Sequence, residues 1–101
     1  MARITLLKSE NDFVGGMEFH RRAKTMIQCL KEGETLEVDT GNQYLDSSMI
    51  GTLMSIQDLC SRSDIEICFL NVSEQTEKII ELSGLSSVLK IKNSGEAGTQ
   101  N

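Results

Sequence analysis

Tryptophan is absent from this chain, tyrosine occurs once and phenylalanine three times, so aromatic rings cannot dominate its interior. With 39% apolar residues, the core has to be assembled from Leu, Ile, Val and Met, and such a composition is that of a globular domain, not a disordered segment. Basic residues are short as well: Lys and Arg number 10 against 15 Asp and Glu, a formal net charge of −5. That field repels a phosphate backbone, which argues against generic nucleic-acid binding and makes a basic partner surface the natural complement. No stretch approaches the length of a membrane span, and Met1 to Lys8 holds too few apolar residues for the core of a signal peptide. A cytoplasmic protein without membrane attachment is expected.

The constellations that carry catalysis are missing too. A hydroxyl nucleophile needs a base within hydrogen-bond reach, and the sole histidine, His20, stands beside Arg21 and Arg22 in a cluster expected to be a solvated helix face. Gly15-Gly16 lacks the Lys-Ser/Thr continuation of a phosphate-binding loop and reads as a flexible lead into a helix. Cys29, Cys60 and Cys68 are odd in number and have no C-x-x-C spacing, so they are expected to be small core residues of a reduced compartment, with no metal site. No second carboxylate accompanies Asp46 at a spacing that suggests general acid/base work, and Asp39 reads as structural. The expectation is a protein without catalytic residues or cofactor.

At 101 residues the chain is one domain with room for a two-layer core. Arg3 to Lys8 is a short strand candidate, followed by a polar connection ending in Gly15-Gly16. Phe19, Ala23, Met26, Ile27 and Leu30 recur at helical spacing and predict an amphipathic helix from Met17 to Glu32, closed by Gly33. Thr35 to Asp39 is a brief strand, and a turn at residues 40–43 leads to Tyr44-Leu45. A helix from Ser48 to about Ser61 carries Met49, Ile50, Leu53, Met54, Ile56, Leu59 and Cys60 on a broad apolar face. The nearly all-apolar run Ile65 to Val72 suits a central strand covered on both faces. Ser73 starts a helix through Leu82 that Gly84 closes, Val88 to Ile91 is a last short strand, and residues 93–101 form a polar tail expected to be mobile, leaving 1–92 as the domain. Alternating strands and helices indicate an α/β domain with right-handed crossovers.

Most informative is Tyr44-Leu45-Asp46-Ser47-Ser48-Met49-Ile50-Gly51, a strand-like approach into a helix whose first turn offers two hydroxyls to solvent. The leading N–H groups of a helix lack intrahelical partners and sit at the positive end of its dipole, which favours Ser47 and Ser48 there as caps and equally suits a phosphate. Asp46 would hold the turn and fix the orientation of Ser47. Together with Asn71-Val72-Ser73 and Leu82-Ser83-Gly84-Leu85 in this order, the segment resembles the STAS domain of bacterial anti-sigma factor antagonists over about residues 34–92. Asp12-Phe13 and Phe19-His20-Arg21-Arg22-Ala23 extend the likeness to a partner-switching subgroup that controls motility and biofilm formation.

The resemblance implies a small mixed β-sheet with helices packed mainly on one side, and a domain that is ligand and substrate, not catalyst. Unphosphorylated, it would bind an anti-sigma factor or related serine kinase and release that partner's client. Phosphate on Ser47 would end binding, and a metal-dependent serine phosphatase would restore it. The partner surface would comprise Asp12, Phe13, Asp46, Ser47, Ser48, Met49 and Gly51, with Asp12 and Phe13 reaching it from the loop before the first helix. Family members usually begin with two strands, whereas about fifteen residues precede Met17 here, so an edge strand is short or missing and leaves an edge open to weak homodimerisation. STAS domains also serve transporters and sensors, so a small-molecule or nucleotide-sensing module without a phosphoswitch is the competing reading.

Overall fold

Alternating apolar residues on three short segments build a sheet with one buried face. The computed structural model describes residues 2–92 and orders them as β1 (Ala2–Thr5), α1 (Phe13–Gln28), β2 (Thr35–Asp39), α2 (Ser47–Arg62), β3 (Glu66–Leu70) and α3 (Glu74–Leu82), with a 3-10 turn at Lys8–Glu10. The strands lie in the order β1-β2-β3, and both pairings are parallel. The register places Ile4 beside Val38 and Val38 beside Phe69, with Leu36 beside Ile67, so these side chains share a face. They join Phe19, Ala23, Ile27, Leu53, Ile56, Cys60 and Ile80 in one buried cluster, which puts all three helices against that face.

The α/β architecture with one-sided helices is the expected one, but the described strands are parallel throughout, not mixed. Each strand leads into the next through a helix, and a helical crossover returns the chain in the same direction. β3 is not covered on both faces: Glu66 is exposed and Cys68 half-buried on the side where Arg3 donates to Glu37 at 2.8 Å. Its far edge carries a single parallel bridge between Phe69 and Ile91, flanked by hydrogen bonds from Phe69 N–H to Lys90 O (2.8 Å) and from Lys92 N–H to Phe69 O (2.7 Å). The expected strand Val88 to Ile91 is reduced to this bridge because Val88 and Leu89 turn back to donate to Leu85 O. The tail expected at 93–101 lies outside the described residues.

Helix α1 begins four residues before Met17 and ends at Gln28, not Glu32. Asp12 caps it, its Oδ1 accepting from Gly15 N–H at 2.6 Å, so Gly15-Gly16 is no flexible lead but part of the first turn. A Cβ on Gly15 would come within 2.4 Å of the Glu10 backbone, and one on Gly16 within 3.0 Å of Met49 Sδ. These glycines let the 3-10 turn and α2 approach the helix closely. Gly33 (φ +87) belongs to the following turn, donating to Asp64 O at 2.9 Å.

Two further expectations are corrected by tertiary contacts. Arg22 is half-buried and engaged rather than free on a solvated face: its guanidinium grips the buried carboxylate of Glu10 at 2.7 and 2.8 Å, donates to Thr5 O at 2.8 Å and lies 5.5 Å from the Phe19 ring centre. Of the cysteines only Cys60 is a core residue, its thiol pushed up to about 11 by burial, while Cys29 at the C-terminal cap of α1 is exposed. α3 follows expectation: Ser73 caps it, and Gly84 (φ +74) lets Leu85 N–H return to Ile80 O at 2.9 Å.

Candidate functional site

In a parallel sheet the loops leaving the carboxyl ends of the strands gather at one end, where open α/β sheets bind ligands. Here the loops after β1, β2 and β3 meet around residues 40–46. The turn leaving β2 has Gly41 at φ +65 and Asn42 at φ +58, a left-handed pair that glycine and asparagine tolerate. Asp39 Oδ1 accepts from Gly41 N–H at 2.8 Å and from the Asn71 amide at 3.0 Å, so this carboxylate is structural as expected. Thr40, fully buried, donates its hydroxyl to Asn71 O at 2.9 Å.

The approach to α2 is tethered on two further sides. From the first loop, Asn11 Nδ2 donates to Tyr44 O at 2.8 Å, while the Gln43 amide donates to Leu6 O at 2.9 Å. From α3, the buried Thr76 hydroxyl accepts from Leu45 N–H at 3.0 Å and receives Ser73 Oγ at 2.8 Å. None of Asn11, Gln43 and Thr76 stood out in the sequence. Thr76 alone carried a signal, since a hydroxyl three residues after a capping serine is placed to join the cap.

This framework delivers Asp46, Ser47 and Ser48 to the surface. Asp46 is the cap of α2, extended in backbone and accepting from Met49 N–H at 2.9 Å through Oδ1. Ser47 is therefore the first helical residue, not the cap, and its exposed hydroxyl is not committed to holding the helix. Asp46 outcompetes it because a carboxylate serves both the free N–H groups and the helix dipole. Ser48 is exposed one position further on.

Between the first turns of α1 and α2 runs an open groove of about 430 Å³. Phe13, Met17 and His20 line it from α1, and Ser48, Gly51 and Ser55 line it from α2. The fold thus brings Phe13 together with Ser48 and Gly51, though from the first turn of a helix and not from a loop. Met49 drops out of the expected surface: it is fully buried, because its position on α2 turns it toward Gly16 and the core. Exposed apolar side chains cluster nearby, with Phe13 71%, Val14 73% and Met17 63% accessible on α1. Asp12 does not line this groove: it accepts from Gly15 N–H and lies on the neighbouring face with Val14, Glu18 and Arg21. His20 and Met17 were not among the expected site residues. Their membership depends on where α1 starts and how it lies against α2, which periodicity alone does not give.

Residues 23–97 match the family model described as the STAS domain, well over half of the chain. The chain belongs to the STAS family. Among relatives of this STAS domain, two proteins named anti-sigma-B factor antagonist, from Listeria monocytogenes and Listeria innocua, are each 30% identical over 68 residues. That alignment covers 66% of this chain and 60% of the length of each relative. Among the described residues of the domain no helix is long and apolar enough to cross a membrane, and no group of three or more His, Cys, Asp or Glu side chains is placed to hold a metal ion.

Proposed function

We propose that this STAS domain is an anti-sigma factor antagonist that works as a phosphorylation-controlled partner switch at Ser47. The observation that carries the reading is the placement of Ser47: exposed, first in α2, relieved of capping by Asp46, and directly after a loop braced from two other elements. Anti-sigma-B factor antagonists among the relatives support it. Unphosphorylated, the chain binds an anti-sigma factor or related serine kinase through Asp12, Phe13, Asp46, Ser47, Ser48 and Gly51 and frees that partner's client. The kinase transfers phosphate from ATP to the Ser47 hydroxyl, leaving ADP, and a metal-dependent serine phosphatase hydrolyses the phosphoserine to serine and inorganic phosphate. The chain itself is ligand and substrate, with no catalytic step of its own, and the regulated outputs are those of the motility and biofilm subgroup.

Phosphate adds roughly −1.5 to −2 charge at the start of α2, where the dipole and the unpaired leading N–H groups accommodate it. The partner instead meets a dianion where a small neutral hydroxyl stood, and loses affinity. Ser47→Asp is expected to weaken binding of the purified partner kinase by a few kcal/mol with nearly unchanged circular dichroism, while Ser47→Ala binds constitutively. Phosphopeptide mapping after kinase treatment decides the site. Phosphate confined to Ser48, or a Ser47→Asp protein that binds like wild type, overturns the assignment.

A further inference from the structure

Between β2 and α2 the chain dips into the interior, where Leu45 is fully buried, and a buried backbone N–H has to find a partner. The partner here is a side chain of α3. The Thr76 hydroxyl accepts from Leu45 N–H at 3.0 Å and donates to Gln43 O at 3.4 Å. A residue of a neighbouring parallel strand bonds in this same pattern, to one carbonyl and to the amide two residues further on. A hydroxyl has one hydrogen and two lone pairs, and all are committed, because Ser73 Oγ also donates to Thr76 Oγ1 at 2.8 Å. Thr76 is itself fully buried, so water has no route to replace it.

Tyr44, between the two held residues, points its carbonyl the other way and accepts from Asn11 Nδ2 at 2.8 Å on the exposed side. Held from both sides, the segment enters α2 with Asp46 extended at φ −83 and ψ 179, and Ser47 follows only two residues after Leu45. We infer that Thr76 is a positioning residue for Ser47: its hydroxyl, acting through the Leu45 backbone, fixes where the Ser47 hydroxyl stands for phosphate transfer. The inference rests on the partner-switch reading for the reaction, not for the geometry. A hydroxyl already fixed in place spares the kinase the ordering of its acceptor on the way to the transition state. Loss of the Thr76 anchor therefore falls on kcat more than on KM, since the surface that docks the kinase is left intact.

Three variants of the full chain separate positioning from plain stability. Thr76→Val keeps the branched shape and removes both bonds to the 43–45 segment, and Thr76→Ser restores the hydroxyl. Ser73→Ala weakens the cap of α3, where Ser73 Oγ accepts from Thr76 N–H at 3.2 Å, yet leaves the bonds from Thr76 to the segment in place. With the kinase used for the Ser47 mapping, well below the melting temperature of each variant, Thr76→Val is expected to lower kcat about tenfold or more at nearly unchanged KM, while the other two behave like wild type. Amide NMR without any kinase should show backbone order falling at residues 45–47 in Thr76→Val alone, with α3 unchanged. In the wild type, the Leu45 amide should exchange as slowly as those inside α3. Undiminished kcat in Thr76→Val, an equal fall in Ser73→Ala, no recovery in Thr76→Ser, unchanged order at 45–47, or fast exchange of Leu45 in the wild type overturns the inference. A wild type that takes no phosphate at Ser47 overturns the switch reading instead, and order and exchange alone then decide whether Thr76 holds the segment.

Discussion

Two adjacent residues divide the work at the start of α2. Asp46 spends its carboxylate on Met49 N–H at 2.9 Å, and that frees the Ser47 hydroxyl for chemistry. Their substitutions should therefore separate stability from switching. Asp46→Ala is expected to cost about 1 kcal/mol of unfolding free energy, the usual loss of a helix cap, whereas Ser47→Ala should change it by no more than about 0.5 kcal/mol. Urea denaturation of the two variants at neutral pH checks this. Equal losses would return the cap to Ser47 and remove the argument that its hydroxyl is unencumbered.

Among the elements, α1 is the one whose position makes the site. Its early start at Phe13 puts Phe13 and Met17 opposite Ser48 and Gly51, and that start depends on glycine at position 15. A methyl group on Gly15 would overlap the Glu10 backbone at 2.4 and 2.6 Å, and backbone cannot rotate away as a side-chain end can. Gly15→Ala should destabilise by about 3 kcal/mol, the upper part of the range for overpacking, although alanine is intrinsically the better helix former. At Gly51, in the second turn of α2, a Cβ meets no atom within 4 Å, so alanine there gains helix propensity without a clash. The Gly15 and Gly51 substitutions to alanine are thus expected to move the melting temperature in opposite directions, readable in one thermal scan of each. A rise for both would show that the 3-10 turn yields without cost.

For the molecule as a whole, the ion pair between Glu10 and Arg22 ties the first loop, α1 and the end of β1 together, since Arg22 also donates to Thr5 O. The Arg22 hydrogen bond foremost, and then the Leu7 N–H, hold the buried Glu10 carboxyl below its ordinary value of 4.5, against the opposing effect of burial. A carboxyl depressed on folding stabilises fully above its unfolded value, and that contribution is lost as pH falls through the lower folded value. Acidification from neutral pH to about 3 should therefore lower the urea midpoint of the wild type more than that of Glu10→Gln, which has no carboxyl to protonate. Equal acid sensitivity of the two proteins would show that the pair contributes nothing to the linkage.

Apolar spacing was enough to reveal α2 and β2, because burial on one side imprints itself on that spacing, whereas β3 showed as a run of apolar residues and α3 through its caps at Ser73 and Gly84. The exposed hydroxyls after Asp46 were legible for a similar local reason: helix starts are governed by residues within one turn. The start of α1 was not, since Gly15 and Gly16 read as a break until their close approaches to Glu10 and Met49 are known. Nor did pattern reveal that Arg22 is held by Glu10, twelve residues earlier, that Met49 turns inward, or that Asn11 and Thr76 brace the loop from separate elements. Those facts join segments far apart in the chain. A side chain's partner across such a distance is set by how helices pack on the sheet, and that packing is decided by the whole core at once.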